Sequence, residues 1–137
     1  MTLFTSDIES KRCGRTALVY LLAACFLVLF GGVYEYFSHG VWSYSMVYAF
    51  AYPLAGGTLP FLAAGLWKHG KYPGAVEAVL YHCGIATLTL GSIVCGVLEI
   101  YGTTNALTVC YPYAGWLLFG IGFTVWLLDT LKTFKRG

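Results

Sequence analysis

Apolar residues along the chain are grouped into four long runs separated by short polar segments. The runs cover residues 16–37, 44–67, 75–101 and 106–128. Each run exceeds the ~20 residues that a helix needs to cross the hydrocarbon layer of a bilayer. The linkers between the runs are so short that consecutive helices must be antiparallel neighbours. The pattern therefore predicts an all-α integral membrane protein, folded as a bundle of four transmembrane helices.

Two short strings occur twice and divide the chain into halves. Gly-Val-Tyr-Glu at residues 32–35 has a counterpart in Gly-Val-Leu-Glu at 96–99. Tyr-Pro-Leu-Ala-Gly at 52–56 has one in Tyr-Pro-Tyr-Ala-Gly at 111–115. Because internal repeats mark duplicated structural units, we expect two tandem helix hairpins related by a pseudo-twofold axis along the membrane normal.

The runs and repeats together predict the domain organisation. An N-terminal segment at residues 1–15 precedes the first hairpin at 16–67, and a loop at 68–74 leads to the second hairpin at 75–128. A short tail at 129–137 follows. The predicted hairpins leave no room for a soluble domain.

Composition and charge agree with a membrane protein and predict its orientation. Of the 137 residues, 58% are hydrophobic and only 10% are charged, whereas soluble domains carry about 25% charged residues. All eight Lys and Arg lie in the segments 1–15, 68–74 and 129–137. Basic residues near membrane helices stay on the cytoplasmic side, so both termini are predicted to be cytoplasmic, in a plasma or inner membrane. Because topology explains the basic residues, we expect no nucleic-acid partner.

Glu35 and Glu99 are the strongest candidates for functional residues. Each ends one copy of the repeated tetrapeptide, and the predicted outer half contains no Lys or Arg to neutralise it. Small residues such as Gly31 and Gly96 share a helix face with them, which predicts that the carboxylates point into the bundle. Ionisable groups inside membranes often line ion pathways and proton relays. The alternative is that both acids sit close enough to the outer surface for water to solvate them.

Two tyrosines and an interrupted helix complete the predicted site. Tyr52 lies eight residues into the second run, ~12 Å deep at ~1.5 Å per residue, and Tyr111 is its counterpart in the repeat. We expect both phenols to donate hydrogen bonds at the carboxylates. The predicted hinge consists of Pro53, Gly56, Gly57 and Pro60. Such breaks often mark binding sites in membrane helices, although proline and glycine are also generally common there.

A metal site is a weaker hypothesis. His39 follows Glu35 by four residues, so a continuing helix would place both on one face, and Glu99 would supply a third ligand for Zn, Mn or Fe. Against this, Ser-His-Gly at 38–40 is typical of a helix end, and the second repeat has Thr103 in place of the histidine.

Other cofactors and redox chemistry are disfavoured. His82 lies in the predicted inner half and His39 on the outer side, while His69 is in a loop, so no two histidines can share one haem. None of the five cysteines forms a Cys-x-x-Cys motif. Cys95 and Cys110 could form a disulfide on the outer side, but small buried packing residues are the favoured interpretation.

We therefore expect a small transport-related or ligand-binding membrane protein without catalytic residues. Its expected partners are the lipid bilayer, a small cationic or polar ligand, and a second copy in a homodimer. Two alternatives stay open. One is a non-catalytic membrane subunit of a larger redox or transport complex. The other is a membrane enzyme acting on a lipid or quinone, supported only by the outer carboxylates.

Overall fold

The computed structural model describes residues 2–67 and 70–136. Within these residues the chain forms helices and no strands. The helices are α1 (Thr2–Phe37), α2 (Tyr44–Leu66), α3 (Ala75–Ile100) and α4 (Ala106–Arg136). Each of the four contains a stretch long and apolar enough to cross a membrane, which indicates a multi-pass membrane protein.

The first and last helices extend well beyond the predicted apolar runs. α1 begins at Thr2 rather than at residue 16, and α4 continues to Arg136 rather than ending at residue 128. Lys, Arg and Glu in these polar ends are good helix formers. The Ser10 hydroxyl also donates a 2.8 Å hydrogen bond to the Gly65 carbonyl of α2. Residues 68–69 of the predicted loop, and with them His69, lie outside the described residues.

α2 is a continuous helix whose backbone hydrogen-bonding pattern changes along its length. Its first turn, Tyr44–Val47, is α-helical; a 3₁₀ turn follows at Tyr48–Phe50, then a π-helical stretch at Tyr52–Thr58, and α-helix resumes at Leu59–Leu66. The π-helical stretch contains Pro53, which cannot donate a backbone hydrogen bond and crowds the preceding turn. Regular hydrogen bonding is therefore interrupted where the repeated proline motif lies.

Neighbouring helices hold this irregular stretch in place. The Tyr81 hydroxyl of α3 donates a hydrogen bond to the Gly56 carbonyl. On the side of α1, the Tyr20 ring occupies the space that a Cβ atom at Gly57 would need. Only glycine allows this close approach, so Gly57 is a packing position in the structure.

The helices are arranged in chain order. α2 lies between α1 and α3, and α4 packs along α3. Across the described residues, no Cα atom of α1 comes within 8 Å of one in α3 or α4. The backbones therefore leave the bundle open between its first helix and its last two, and the Tyr20 and His82 side chains bridge this gap.

An aromatic cluster forms the core at the end of the bundle where α1 begins. Phe61 of α2 is 0% exposed and stacks on Trp126 of α4, with ring centroids 5.1 Å apart. Tyr81 of α3 packs edge-on against Phe61 at 5.6 Å. The Trp126 indole donates a 2.8 Å hydrogen bond to the Lys71 carbonyl. The cluster thus joins α2, α3 and α4 through side chains.

Candidate functional site

The two repeated glutamates meet at one serine. Glu35 lies in the last turns of α1 and Glu99 near the end of α3. The backbone N–H of Ser43 donates a 2.8 Å hydrogen bond to Glu35 Oε1, and the Ser43 hydroxyl donates a 2.5 Å hydrogen bond to Glu99 Oε2. Ser43 itself is 0% exposed. The structure therefore joins both carboxylates to a single buried residue.

The turn between α1 and α2 positions this serine. α1 ends at Phe37, and His39 and Gly40 follow with positive φ angles of 57° and 92°. The chain then reverses, and Ser43 caps α2 because its hydroxyl accepts a 3.2 Å hydrogen bond from the Met46 N–H. Both carboxylates consequently face the N-terminal end of α2, where the helix dipole favours negative charge.

Glycines allow the first turn of α2 to fit between its neighbours. Met46 is 1% exposed. A Cβ atom at Gly31 of α1 would lie 3.3 Å from the Met46 carbonyl oxygen, and one at Gly96 of α3 would lie 2.9 Å from the Met46 backbone nitrogen. The small-residue faces of α1 and α3 thus hold Ser43 between the two glutamates.

Two further serines support Glu99. Its Oε1 atom accepts a 2.8 Å hydrogen bond from the Ser45 hydroxyl. The Ser92 hydroxyl of α3 donates a 2.5 Å hydrogen bond to the Ser45 carbonyl, which fixes that residue against α3. Both Glu99 oxygens are therefore hydrogen bonded, although the residue as a whole is exposed. The site opens to its surroundings on this side.

Only one of the two carboxylate oxygens of Glu35 is hydrogen bonded within the described residues. Its Oε2 atom is buried and has no hydrogen-bond partner in the described part of the chain. Among those residues the only ion pair is Lys71 with Asp129, at 3.0 Å, so neither Glu35 nor Glu99 has a basic partner there. A buried carboxylate oxygen without a partner costs about 1–3 kcal/mol or more. A proton or a small cation at this atom would remove that cost.

The predicted tyrosines do not reach the carboxylates. Among the described residues, no hydrogen bond joins Tyr52 or Tyr111 to Glu35 or Glu99, whose oxygens are bonded by serine groups instead. Tyr52 begins the π-helical stretch of α2, and the Tyr111 ring packs against Gly91. The depth argument for Tyr52 did not determine which way its side chain points.

His39, the third predicted metal ligand, does not join the two glutamates in a ligand group. His39 is exposed and lies beyond the end of α1, in a left-handed conformation. It therefore does not continue the helical face of Glu35, on which the metal hypothesis depended. In residues 2–67 and 70–136, no group of three His, Cys, Asp or Glu side chains is arranged to hold a metal ion.

His82 belongs to the aromatic cluster at the opposite end. Its Nδ1 atom is hydrogen bonded to the Tyr20 hydroxyl and its Nε2 atom lies 3.5 Å from the Tyr72 hydroxyl. The imidazole also stacks on Phe61, with centroids 5.6 Å apart. His82 is therefore a packed and hydrogen-bonded residue. Cys95 and Cys110, on α3 and α4, are both free.

Two other acids, Glu77 and Asp129, have local roles at the end of the bundle where α1 begins. The Glu77 carboxylate accepts a 3.0 Å hydrogen bond from the Gly74 N–H at the start of α3. Asp129 accepts a hydrogen bond from Lys71, and this bond raises the pKa of Lys71 above its ordinary value. These carboxylates have partners that Glu35 lacks.

Sequence reasoning missed the serines that organise the site. Ser43 directly precedes an apolar helix, which is the usual position of an N-cap, so its capping role could have been predicted. Its bonds to both glutamates could not, because they depend on how α1 and α3 pack around α2. Ser45 carried no distinguishing signal, and Ser92 was recognisable only as a small residue on the helix face of Glu99 and Gly96.

Replacing Ser43 with alanine is expected to destabilise the protein by about 2 kcal/mol, because it removes the helix cap and the bond to Glu99 together. Unfolding in a denaturing detergent, followed by circular dichroism, measures the effect. Thr124→Ala is the control, since the Thr124 hydroxyl bonds only within its own helix, to the Gly120 carbonyl. Equal stabilities of the two variants would contradict the bridging role.

No protein family, curated protein or solved structure matches the chain.

Proposed function

We propose that the protein binds a proton or a small cation between Glu35 and Glu99, and that this exchange serves transport. The single observation that carries the proposal is the buried, unpartnered Oε2 atom of Glu35. It lies on a carboxylate that shares Ser43 with a second carboxylate. Two acids so close, without a basic partner among the described residues, favour a positive species between them.

The two glutamates have different parts in the proposed exchange. Glu35 is half-buried and holds the proton or cation, because its Oε2 atom has no other partner. Glu99 is exposed and gives access from outside while adding negative charge. Hydroxyl groups from Ser43 and Ser45 keep Glu99 oriented. A small polar cationic ligand could use the same carboxylates.

Motion in the site would come from α2. Ser43 caps this helix, and the π-helical stretch Tyr52–Thr58 interrupts its regular hydrogen bonding about two turns further along. The residues proposed as the hinge remain Pro53, Gly56, Gly57 and Pro60. Rearrangement there would shift Ser43 relative to α1 and α3, and so change the spacing of the carboxylates.

The charge distribution supports an orientation for the site. Every Lys and Arg of the sequence lies in the segments 1–15, 68–74 and 129–137, which exclude both glutamates, so we place both termini in the cytoplasm and the site at the outer face of a plasma or inner membrane. The duplicated strings support an origin from two tandem hairpins. Because the bundle is open between α1 and α4, a second copy could close it, as a homodimer.

Proton release on cation binding tests the proposal. Purified protein in lipid nanodiscs, in weakly buffered solution, is titrated with sodium, potassium and magnesium chloride while a dye reports pH. Choline chloride corrects for ionic strength. We expect at least one of the three metal ions to release protons from the wild type and not from Glu35→Gln, because the amide cannot exchange a proton.

A matched variant controls for changes in total charge. Glu77→Gln removes an equal charge from a carboxylate that caps α3, so its proton release should equal that of the wild type. Glu99→Gln should weaken the cation response and leave the fold intact. Release that persists in Glu35→Gln, or is absent from the wild type with all three ions, would contradict the proposal.

A further inference from the structure

A long groove lies between α1 and α3, on the open side of the bundle. It has a volume of about 800 Å³, and Pro53 of α2 forms part of its floor. Its α1 wall runs from Arg15 to Leu27, a length of ~18 Å at ~1.5 Å per residue. Half of the hydrocarbon layer measures ~15 Å. The groove is therefore about as long as one lipid acyl chain, which spans half of the hydrocarbon layer.

The two ends of the groove differ in chemistry. Its middle is apolar and open to the side, with Val19 58% exposed on α1 and Leu90 53% exposed on α3. Arg15 and Thr16 line the end at which α1 begins. Because the only ion pair of the described residues is Lys71 with Asp129, no carboxylate there neutralises Arg15. One charged end and an apolar length fit an amphipathic anion.

The polar residues of the groove argue against a neutral headgroup such as a quinone. Tyr20 and His82 also line it, but they are hydrogen bonded to each other. The Tyr20 hydroxyl is therefore already paired with His82 Nδ1, and His82 Nε2 faces the Tyr72 hydroxyl at 3.5 Å rather than a free position for a ligand carbonyl. Arg15 is the group that lacks a partner of opposite charge, and a phosphate oxygen is the partner that a guanidinium binds best.

We propose that this groove binds an anionic phospholipid, with its phosphate on Arg15 and one acyl chain along α1 and α3 as far as Leu27. The site is separate from the glutamates at the other end of the bundle. A bound chain would touch Pro53, so the lipid would brace the irregular stretch of α2.

Lipid retention tests this proposal. Delipidated protein is mixed with phosphatidylglycerol or phosphatidylcholine of identical chains, and bound lipid is counted by native mass spectrometry. One basic residue near a membrane surface contributes about a fivefold preference for an anionic lipid. We expect wild-type protein to prefer phosphatidylglycerol by about that factor, and Arg15→Gln to lose the preference. Lys132→Gln removes one charge from an exposed position on α4 and should keep the preference for phosphatidylglycerol.

A second variant tests the groove itself. Ala86 is exposed and lines the groove, so Ala86→Phe should reduce retention of both lipids without unfolding the protein. If Arg15→Gln does not fold, Arg15→Lys takes its place: it keeps the charge and should retain the preference for phosphatidylglycerol.

Equal retention of both lipids by the wild type would overturn the proposal. A preference for phosphatidylglycerol that survives in Arg15→Gln would also overturn it. So would an Ala86→Phe protein that binds lipid normally but no longer dimerises. Proton release at Glu35 should be unchanged in all of these variants, so failure of one proposal does not imply failure of the other.

Discussion

Replacing Phe61 with alanine is expected to lower the free energy of unfolding by about 3 kcal/mol. The ring is 0% exposed and stacks between Tyr20 of α1 and Trp126 of α4, with centroids 6.0 and 5.1 Å away. Truncating a buried aromatic ring typically costs about 3–5 kcal/mol. The lower value is expected here because lipid is as apolar as the core. The substitution therefore loses packing contacts but loses little stabilisation from the exclusion of water.

A phenylalanine outside the cluster provides the control. Phe26 is 64% exposed on α1, and its ring contacts Phe30 of the same helix, 6.2 Å away. Phe26→Ala should change the unfolding free energy by less than about 0.5 kcal/mol. Both variants are measured by unfolding in a denaturing detergent at fixed lipid content. If the two substitutions cost the same, the cluster around Phe61 does not hold α2, α3 and α4 together.

Replacing Gly96 with alanine is expected to cost about 2 kcal/mol and to weaken the glutamate site. A Cβ atom there would lie 2.9 Å from the Met46 backbone nitrogen. Because the neighbouring atom is backbone, the helices must move apart, and such overpacking costs about 1–3 kcal/mol. The start of α2 would then be displaced from α3, and Ser43 with it from Glu99. Proton release on cation binding should fall together with stability.

Gly120→Ala is a matched control for Gly96→Ala. Gly120 is also helical, and a Cβ atom there would meet no atom within 4 Å. Alanine is favoured over glycine in a helix by up to about 1 kcal/mol, so this variant should be as stable as the wild type or slightly more so. A stable Gly96→Ala protein with normal proton release would show that the contact with Met46 does not position the site.

Hydrophobic patterning located the helices well because each of them contains a long apolar stretch bounded by short polar segments. α2 and α3 begin at residues 44 and 75, where the apolar runs begin. The same pattern could not show that α1 starts at Thr2 or that α4 reaches Arg136, because the polar ends of a membrane helix carry no apolar signal. Proline predicted an irregular α2, but whether it would kink or widen into π-helical turns depends on contacts with Tyr20 and Tyr81.

The candidate site was only partly visible in the sequence. The repeat singled out Glu35 and Glu99, and helical spacing with small residues predicted that both face the bundle. Their shared partner Ser43 lies on a third segment, and such a contact depends on tertiary packing. Helical spacing also suggested His39 as a ligand of the same site, but α1 ends at Phe37, so His39 does not continue the helix face of Glu35.

Infrared difference spectroscopy tests the proposed state of Glu35 most directly. Protein in nanodiscs is exchanged at constant pH from choline chloride to the metal chloride that gives the largest proton release. We predict loss of the carbonyl band of a protonated carboxylic acid, absent from Glu35→Gln and preserved in Glu77→Gln. A wild-type spectrum without such a band, or a band that is unchanged in Glu35→Gln, would contradict the assignment of an exchangeable proton to the buried oxygen of Glu35.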